Sequence, residues 1–173
     1  MNSLIDFNSI KDYIYILNGA ISADLIILFI VYYTTFWKST KNLMRWYEKY
    51  RLSAVIADVL ILVIVFIIAR WIFTYYKLSW NIYKFIGIIL SLQIIHDLLF
   101  YKFFSSVPRG VNKMLDLFKD YSKEIGVKAI LGDSFMVIIF VLLTVFYSKL
   151  SINQNIIINI ITVYLIPYII YTK

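Results

Sequence analysis

Four aspartates lie inside long apolar runs of this sequence: Asp24, Asp58, Asp97 and Asp133. A carboxylate in the hydrocarbon of a bilayer costs roughly 2.5–3.5 kcal/mol even on insertion scales, so each requires a partner, water or a bound proton. His96, the single histidine, directly precedes Asp97. Because an imidazole titrates near neutral pH and a carboxylate binds protons and cations, these residues have the chemistry of a proton or cation site.

This histidine shares one helical face with two other polar side chains, since Gln93 precedes His96 and Asp97 by three and four residues. Antiparallel packing of successive spans brings Asp58 and Asp133 to a similar depth. We therefore expect a transport or polar cluster in the cytoplasmic half of a helical bundle, with Asp58 nearest to the histidine and its neighbour. Its members are Asp58, Gln93, His96, Asp97 and Asp133.

The alternative interpretation of this cluster is structural. Asp97 would then orient His96 toward a neighbouring helix, while Lys or Arg side chains from the interface reach Asp58 and Asp133. For Asp133 this interpretation is favoured, because Gly132 and Asp133 begin a span, where a carboxylate meets the positive end of the helix dipole.

A secondary polar pair, Asp24 with Arg70, is expected nearer the outer surface. Arg70 follows Asp58 by about 18 Å along a helix axis, so these two side chains cannot pair. Arg70 can instead snorkel to the headgroups or reach Asp24 in the middle of the first span. Gly19 and Ser22 precede Asp24 and permit close packing or local hydration there.

Several kinds of chemistry are excluded or left open by the residue types. Cysteine is absent, so no disulfide, thiolate metal site or cysteine nucleophile can form. No glycine-rich phosphate loop, G-x-S-x-G elbow or zinc-binding helix is found, and one histidine with scattered aspartates leaves a metal undecided. We expect no catalytic residues and no cofactor. A voltage sensor is disfavoured, since no span carries Arg or Lys at every third position.

Composition places these residues in a membrane. Of 173 residues, 62% are hydrophobic and 16% charged, with a mean hydropathy of +0.81, outside the usual range of soluble domains. Runs of about 20 apolar residues predict an all-α, polytopic transmembrane helical bundle forming a single domain over residues 1–173. The predicted spans are 13–37, 52–76, 81–104, 129–150 and 156–172. Because the last is short and contains Pro167, four spans plus a peripheral or re-entrant helix is the alternative.

Positive charge predicts the orientation of the spans. Most of the 17 Lys and Arg residues lie in the segments after the first and third spans. We expect these segments on the cytoplasmic side, against anionic lipid headgroups, with the N-terminus outside and the C-terminus inside. The net charge of +7 then needs no nucleic-acid partner. In the second segment, apolar residues recur at helical spacing opposite charged ones, which predicts an interfacial amphipathic helix over residues 111–125.

Five short stretches carry a resemblance to known sequences. They are HDLLFY at 96–101, VPRG at 107–110, MLD at 114–116, FKDY at 118–121 and ILGDS at 130–134. Together, over roughly residues 54–145, they resemble an uncharacterised family of small multi-span membrane proteins encoded by giant DNA viruses of protists. The resemblance implies placement in a virion inner membrane or an infected-cell membrane, and it brings no activity with it.

Three functions are compatible with these features. The leading hypothesis is a small homo-oligomeric proton or cation channel or transporter that works through the cytoplasmic polar cluster. The alternative is a structural membrane protein that organises a viral or cellular membrane through its basic face. The third is a membrane-embedded lipid-modifying enzyme, because carboxylates and a histidine near the headgroups can do acid–base work.

Overall fold

The structure is a computed structural model that describes residues 2–34 and 40–171. Within these residues the chain forms seven α-helices, preceded by two short 3-10 turns at Asn2–Ile5 and Ile10–Asp12. The helices are α1 (Tyr13–Tyr33), α2 (Lys41–Tyr50), α3 (Leu52–Tyr75), α4 (Ile82–Ser106), α5 (Lys113–Ile125), α6 (Lys128–Tyr147) and α7 (Ile152–Ile170).

Five of these helices are long and apolar enough to cross a membrane: α1 with the 3-10 turn before it, α3, α4, α6 and α7. No strand occurs in the described ranges. The predicted fold class, an all-α polytopic transmembrane bundle with five spans, is therefore confirmed. The predicted end of the first span, Trp37, lies outside the described residues.

The junction between the last two spans differs from the sequence prediction. Helix α6 ends at Tyr147 rather than at residue 150, and α7 begins at Ile152 rather than at 156. Ser151 starts α7 early, because its hydroxyl accepts a hydrogen bond from Gln154 N (3.2 Å) while the Gln154 side chain accepts one from Ser151 N (2.9 Å). Helix α7 then continues through Pro167 as one 19-residue element, about 28 Å long.

An amphipathic helix that was not predicted, α2, lies between the first two spanning helices. Its ten residues are too few to cross a membrane, so the sequence pattern indicates only a basic connection there. Trp46 and Tyr47 are buried, whereas Arg45 and Lys49 are exposed. Arg51, at a φ of 44°, turns the chain from α2 into α3.

The predicted interfacial helix corresponds to α5, which begins at Lys113 rather than at residue 111. The Asn112 side-chain oxygen caps it by accepting hydrogen bonds from Met114 N at 2.9 Å and Leu115 N at 3.2 Å. Gly126 ends the helix at a φ of +58°, a backbone conformation that favours glycine.

Helices α2 and α5 lie against each other at one end of the bundle. The Glu124 carboxylate on α5 accepts hydrogen bonds from Lys41 N at 2.7 Å and Asn42 N at 2.8 Å, the first residues of α2. The rings of Trp46 and Phe118 lie 4.7 Å apart between the two helices. The two basic segments of the sequence are therefore at the same end of the molecule.

Helix α1 runs through the centre of the bundle and packs against α3, α6 and α7. Its closest approach is to α6, where a Cβ placed on Gly19 would lie 3.2 Å from Phe140 O and would collide with the Thr144 hydroxyl. On the α7 side, Asn18 Nδ2 donates to Asn155 Oδ1 at 3.0 Å, and Asn159 Nδ2 donates to Asn18 Oδ1 at 2.8 Å. Close packing and amide hydrogen bonds thus hold α1 in place.

Candidate functional site

A cavity of about 730 Å³ lies at the end of the bundle where α2 and α5 cover the spanning helices. Its walls are formed mainly by α2, α3, α4, α5 and α6, and most of its lining is aromatic or aliphatic. All five members of the polar cluster proposed from the sequence line it: Asp58, Gln93, His96, Asp97 and Asp133. Residues from three separate spans therefore meet around one space.

Asp58 is held by two aromatic side chains of α2. Tyr47 donates its hydroxyl hydrogen to Asp58 Oδ2 at 2.9 Å, and Trp46 Nε1 donates to the same oxygen at 3.2 Å. Both donors are neutral, whereas the structural interpretation of the sequence has Lys or Arg at this carboxylate. Burial, reinforced by the carboxylates of Asp58 and Asp24, raises the pKa of Tyr47 well above its ordinary value, so the phenol keeps the hydrogen that it donates.

Gln93, His96 and Asp97 form one hydrogen-bonded group on α4. Gln93 Nε2 donates to Asp97 Oδ1 at 2.8 Å, and His96 Nδ1 lies 3.2 Å from the same oxygen. Because a carboxylate only accepts, the hydrogen is on Nδ1, which leaves Nε2 of a neutral His96 ring as an acceptor. The His96 ring stacks on Phe100, with centroids 5.8 Å apart. Asp97 thus orients His96, and the two point toward a common space.

Asp133 reaches the cavity from α6, close to a tyrosine of α5. Because α6 begins at Lys128, Asp133 lies in its second turn and not at its first residues, so the helix-dipole argument for a purely structural role is weakened. Burial, and after it the carboxylates of Asp133, Asp58 and Asp97, raise the pKa of Tyr121. All three carboxylates therefore disfavour ionisation of the Tyr121 phenol.

The structure does not bring Arg70 and Asp24 together, contrary to the expected secondary pair. Arg70 Nη2 lies 3.7 Å from Asp12 Oδ2 and donates to Ser9 O at 2.9 Å and to the carbonyl of Asp6. Arg70 is 0% exposed and does not snorkel. The physical reason is that the segment before α1 folds over the end of α3 and supplies its own carboxylate and carbonyl groups.

Asp24 remains a buried acid on α1. It is 0% exposed, and neither of its carboxylate oxygens has a hydrogen-bond partner among the described residues. Its neighbour Ser22 shares a hydrogen bond with the Tyr147 hydroxyl at 2.9 Å. Asp24 is therefore a fully buried acid that does not line the cavity.

The aromatic residues near the acids are not indicated by the sequence. Trp46 and Tyr47 have the pattern of membrane-interface anchors, so nothing in their spacing indicates the hydrogen bonds that they donate to Asp58. Tyr121 has the pattern of an amphipathic-helix residue, so its position near the acids is not indicated either. One signal is present in the sequence: two adjacent aromatic residues lie between Arg45 and Glu48. Two large aromatic side chains are unusual in a solvent-exposed connection and indicate that this segment packs against the protein.

The fold and the cavity define a polytopic helical membrane protein with an acidic cavity near one end of its spans. Among residues 2–34 and 40–171, no three His, Asp or Glu side chains lie close enough together to hold a metal ion. Comparison with protein families, curated proteins and solved structures finds no match to this chain.

Proposed function

We propose that this protein is a small integral membrane protein that moves protons or other cations through its acidic cavity. The observation that carries the proposal is the convergence of Asp58, Asp97, Asp133 and His96 from α3, α4 and α6 on one cavity. Carboxylates are costly in a membrane and persist where they serve an ion or proton pathway.

The charge of the lining favours a cation over an anion. Among the residues that the structure describes, three carboxylates line the cavity, together with two basic groups, the imidazole of His96 and the ammonium of Lys128. The donors at Asp58 are neutral, so its charge is not cancelled by a resident base. A mobile cation or a proton would supply the missing countercharge.

Asp24 is the next acid beyond the cavity in our proposal. Tyr47 lies close enough to both Asp58 and Asp24 for each carboxylate to raise its pKa. Beyond Asp24, Ser22 and the Tyr147 hydroxyl continue the series of polar groups along α1. A proton leaving the cavity would pass from Asp58 to the Tyr47 hydroxyl oxygen as that hydroxyl releases its own hydrogen to the Asp24 carboxylate, so that Tyr47 stays neutral throughout.

Orientation and location belong to the same proposal. The basic segments of α2 and α5 lie together, which supports placing them on the cytoplasmic side against anionic headgroups, with the N-terminus outside and the C-terminus inside. The protein would function as a homo-oligomer. The sequence resemblance supports a viral inner membrane or an infected-cell membrane as its location.

Flux through purified protein in liposomes tests the assignment of the cavity. We expect Asp97→Asn and His96→Gln each to reduce proton or cation flux at least about tenfold, since each nearly preserves shape while removing a titrating group. Asp120→Asn is the charge-matched control and should retain flux, because Asp120 lies on α5 outside the cavity lining and pairs with Arg109 at 2.7 Å. Circular dichroism and size-exclusion profiles should match the wild type. Undiminished flux in both cavity variants would contradict the assignment.

A structural role is the second candidate, favoured by the exposed basic side chains of α2 and α5 at one end. A protein of this kind would bind anionic vesicles yet carry no flux. Arg45→Gln with Lys49→Gln should weaken binding to phosphatidylserine vesicles by about 1 kcal/mol for each removed charge. Flux that depends on Asp97 would favour the transport function over this one.

A further inference from the structure

We propose that the cavity binds an amphiphilic protonated amine, an ammonium group with N–H donors attached to an apolar body. The inference rests on the proposed function, because it names the substrate class of the same cavity. Two features of the lining carry it: unpaired hydrogen-bond acceptors and a surrounding aromatic wall.

The acceptors are on α4. Gln93 is 4% exposed and lines the cavity. Its Nε2 must face Asp97 Oδ1, since a carboxylate only accepts, so its Oε1 is directed elsewhere. Gln93 Oε1 and Asp97 Oδ2 are both buried without a hydrogen-bond partner among the described residues. A buried acceptor left unpaired is unfavourable, and two neighbouring ones, one of them anionic, fit a cation that donates hydrogen bonds.

The remaining wall fits an apolar body. Phe118 is central to it, with ring centroids 4.7 Å from Trp46 and 5.1 Å from Phe100. The cavity volume of about 730 Å³ is in the range of small-molecule sites, about 300–1,000 Å³. A bare ion would leave most of this volume and its apolar lining unused. Aromatic faces also attract an organic cation directly.

The same geometry distinguishes between kinds of cation. A quaternary ammonium has no N–H and would leave Gln93 Oε1 and Asp97 Oδ2 unpaired. A small metal ion needs several converging ligands, and among the described residues no three His, Asp or Glu side chains converge in this way. A protonated amine with two or more N–H donors could donate one hydrogen bond to each of the two acceptors.

Equilibrium binding of three matched probes tests the proposal. Wild-type protein in phosphatidylcholine nanodiscs is titrated calorimetrically with 4-phenylbutylamine, its trimethylammonium analogue and 4-phenylbutanol. We expect the amine to bind at least about tenfold more tightly than the other two, since only it combines charge with N–H donors. Empty nanodiscs correct for partition into lipid. Equal affinity for the amine and the quaternary analogue would overturn the proposal.

Variants then locate the binding site. Asp97→Asn and Gln93→Met should each weaken amine binding, by about tenfold or more for Asp97→Asn. Each variant should also reduce the ratio between the affinities for the amine and for its quaternary analogue. Asp120→Asn is the control and should bind as the wild type does. Amine affinity that is unchanged in both cavity variants would overturn the proposal, whatever their stability.

Two further measurements distinguish a lipid headgroup from a free amine as the natural ligand, and amine binding from transport. Part of the phosphatidylcholine is replaced with phosphatidylethanolamine. This change should weaken amine binding if the natural ligand is a lipid headgroup and should have no effect if it is a free amine. Both results support recognition of a protonated amine. Selective amine binding without any flux would support this inference and contradict the proposed transport. Asp97-dependent proton flux without selective amine binding would support the proposed transport and contradict this inference.

Discussion

At the level of single residues, Tyr47 shows how the short helix α2 reaches the interior of the bundle. Its hydroxyl hydrogen bond to Asp58 places an α2 side chain in contact with an acid of α3. Without the Tyr47 hydroxyl, the hydrogen bond from Trp46 Nε1 would remain at Asp58 among the described residues. Tyr47 thus links the packing of α2 to the chemistry of the cavity.

The ionisation of Tyr47 follows from its surroundings. Burial and nearby carboxylates raise its folded-state pKa above that of an ordinary phenol, about 10. Its contribution to the free energy of unfolding is therefore complete below about pH 10 and is lost as the pH rises through the raised folded-state pKa. We expect Tyr47→Phe to leave the phenolate absorbance change between about pH 9 and 11 unaltered in the folded protein and to reduce it in the unfolded protein. An equal reduction in both states would show that Tyr47 ionises normally.

At the level of the helices, the contact between α1 and α6 depends on the absence of a side chain at Gly19. An alanine Cβ there would collide with the Thr144 hydroxyl and crowd the α6 backbone. We expect Gly19→Ala to lower the free energy of unfolding in detergent by about 1–3 kcal/mol, the usual cost of overpacking. Gly87→Ala is the matched control, because nothing lies within 4 Å of its added Cβ; it should be neutral or stabilising. Similar losses in both variants would contradict this description of the contact.

The sequence predicts the helices better than it predicts their partners. Long apolar runs identify α1, α3, α4, α6 and α7, and helical spacing identifies α5, because these are local properties of the chain. Helix α2 is short, and its stability comes from packing on α3 and α5, which no local pattern reports. The sequence predicts the last span from residue 156, whereas α7 begins at Ile152, because Asn153, Gln154 and Asn155 are polar yet lie in its capped first turn.

The same distinction applies to the candidate site. Gln93, His96 and Asp97 could be grouped from their spacing because one helix carries all three. The partner of Arg70 could not be predicted, since Asp12 reaches it only through the tertiary fold of the segment before α1. The role of Tyr47 at Asp58 likewise depends on where α2 packs.

At the level of the whole molecule, the proposed function depends on the transmembrane topology. Because α2 and α5 are in contact, we expect Lys41 and Lys119 to face the same aqueous side, and from the positive-inside rule we expect that side to be cytoplasmic. Asn2 and Asn153 should face the other side. Single cysteines at these positions, introduced into a chain that has none, can be labelled with a membrane-impermeant maleimide. Labelling of the Asn2 and Lys119 positions from the same side would exclude this topology.

The central claim is that the acids around the cavity carry protons or cations across the membrane. The most direct measurement is flux through the purified wild-type protein in liposomes, under a pH gradient and, separately, under a voltage gradient, with protein-free liposomes as the reference. We expect the protein to dissipate at least one gradient faster than the reference, because the carboxylates and the imidazole at the cavity can bind and release protons or cations. Rates equal to those of protein-free liposomes under both gradients would contradict the claim and favour the structural function.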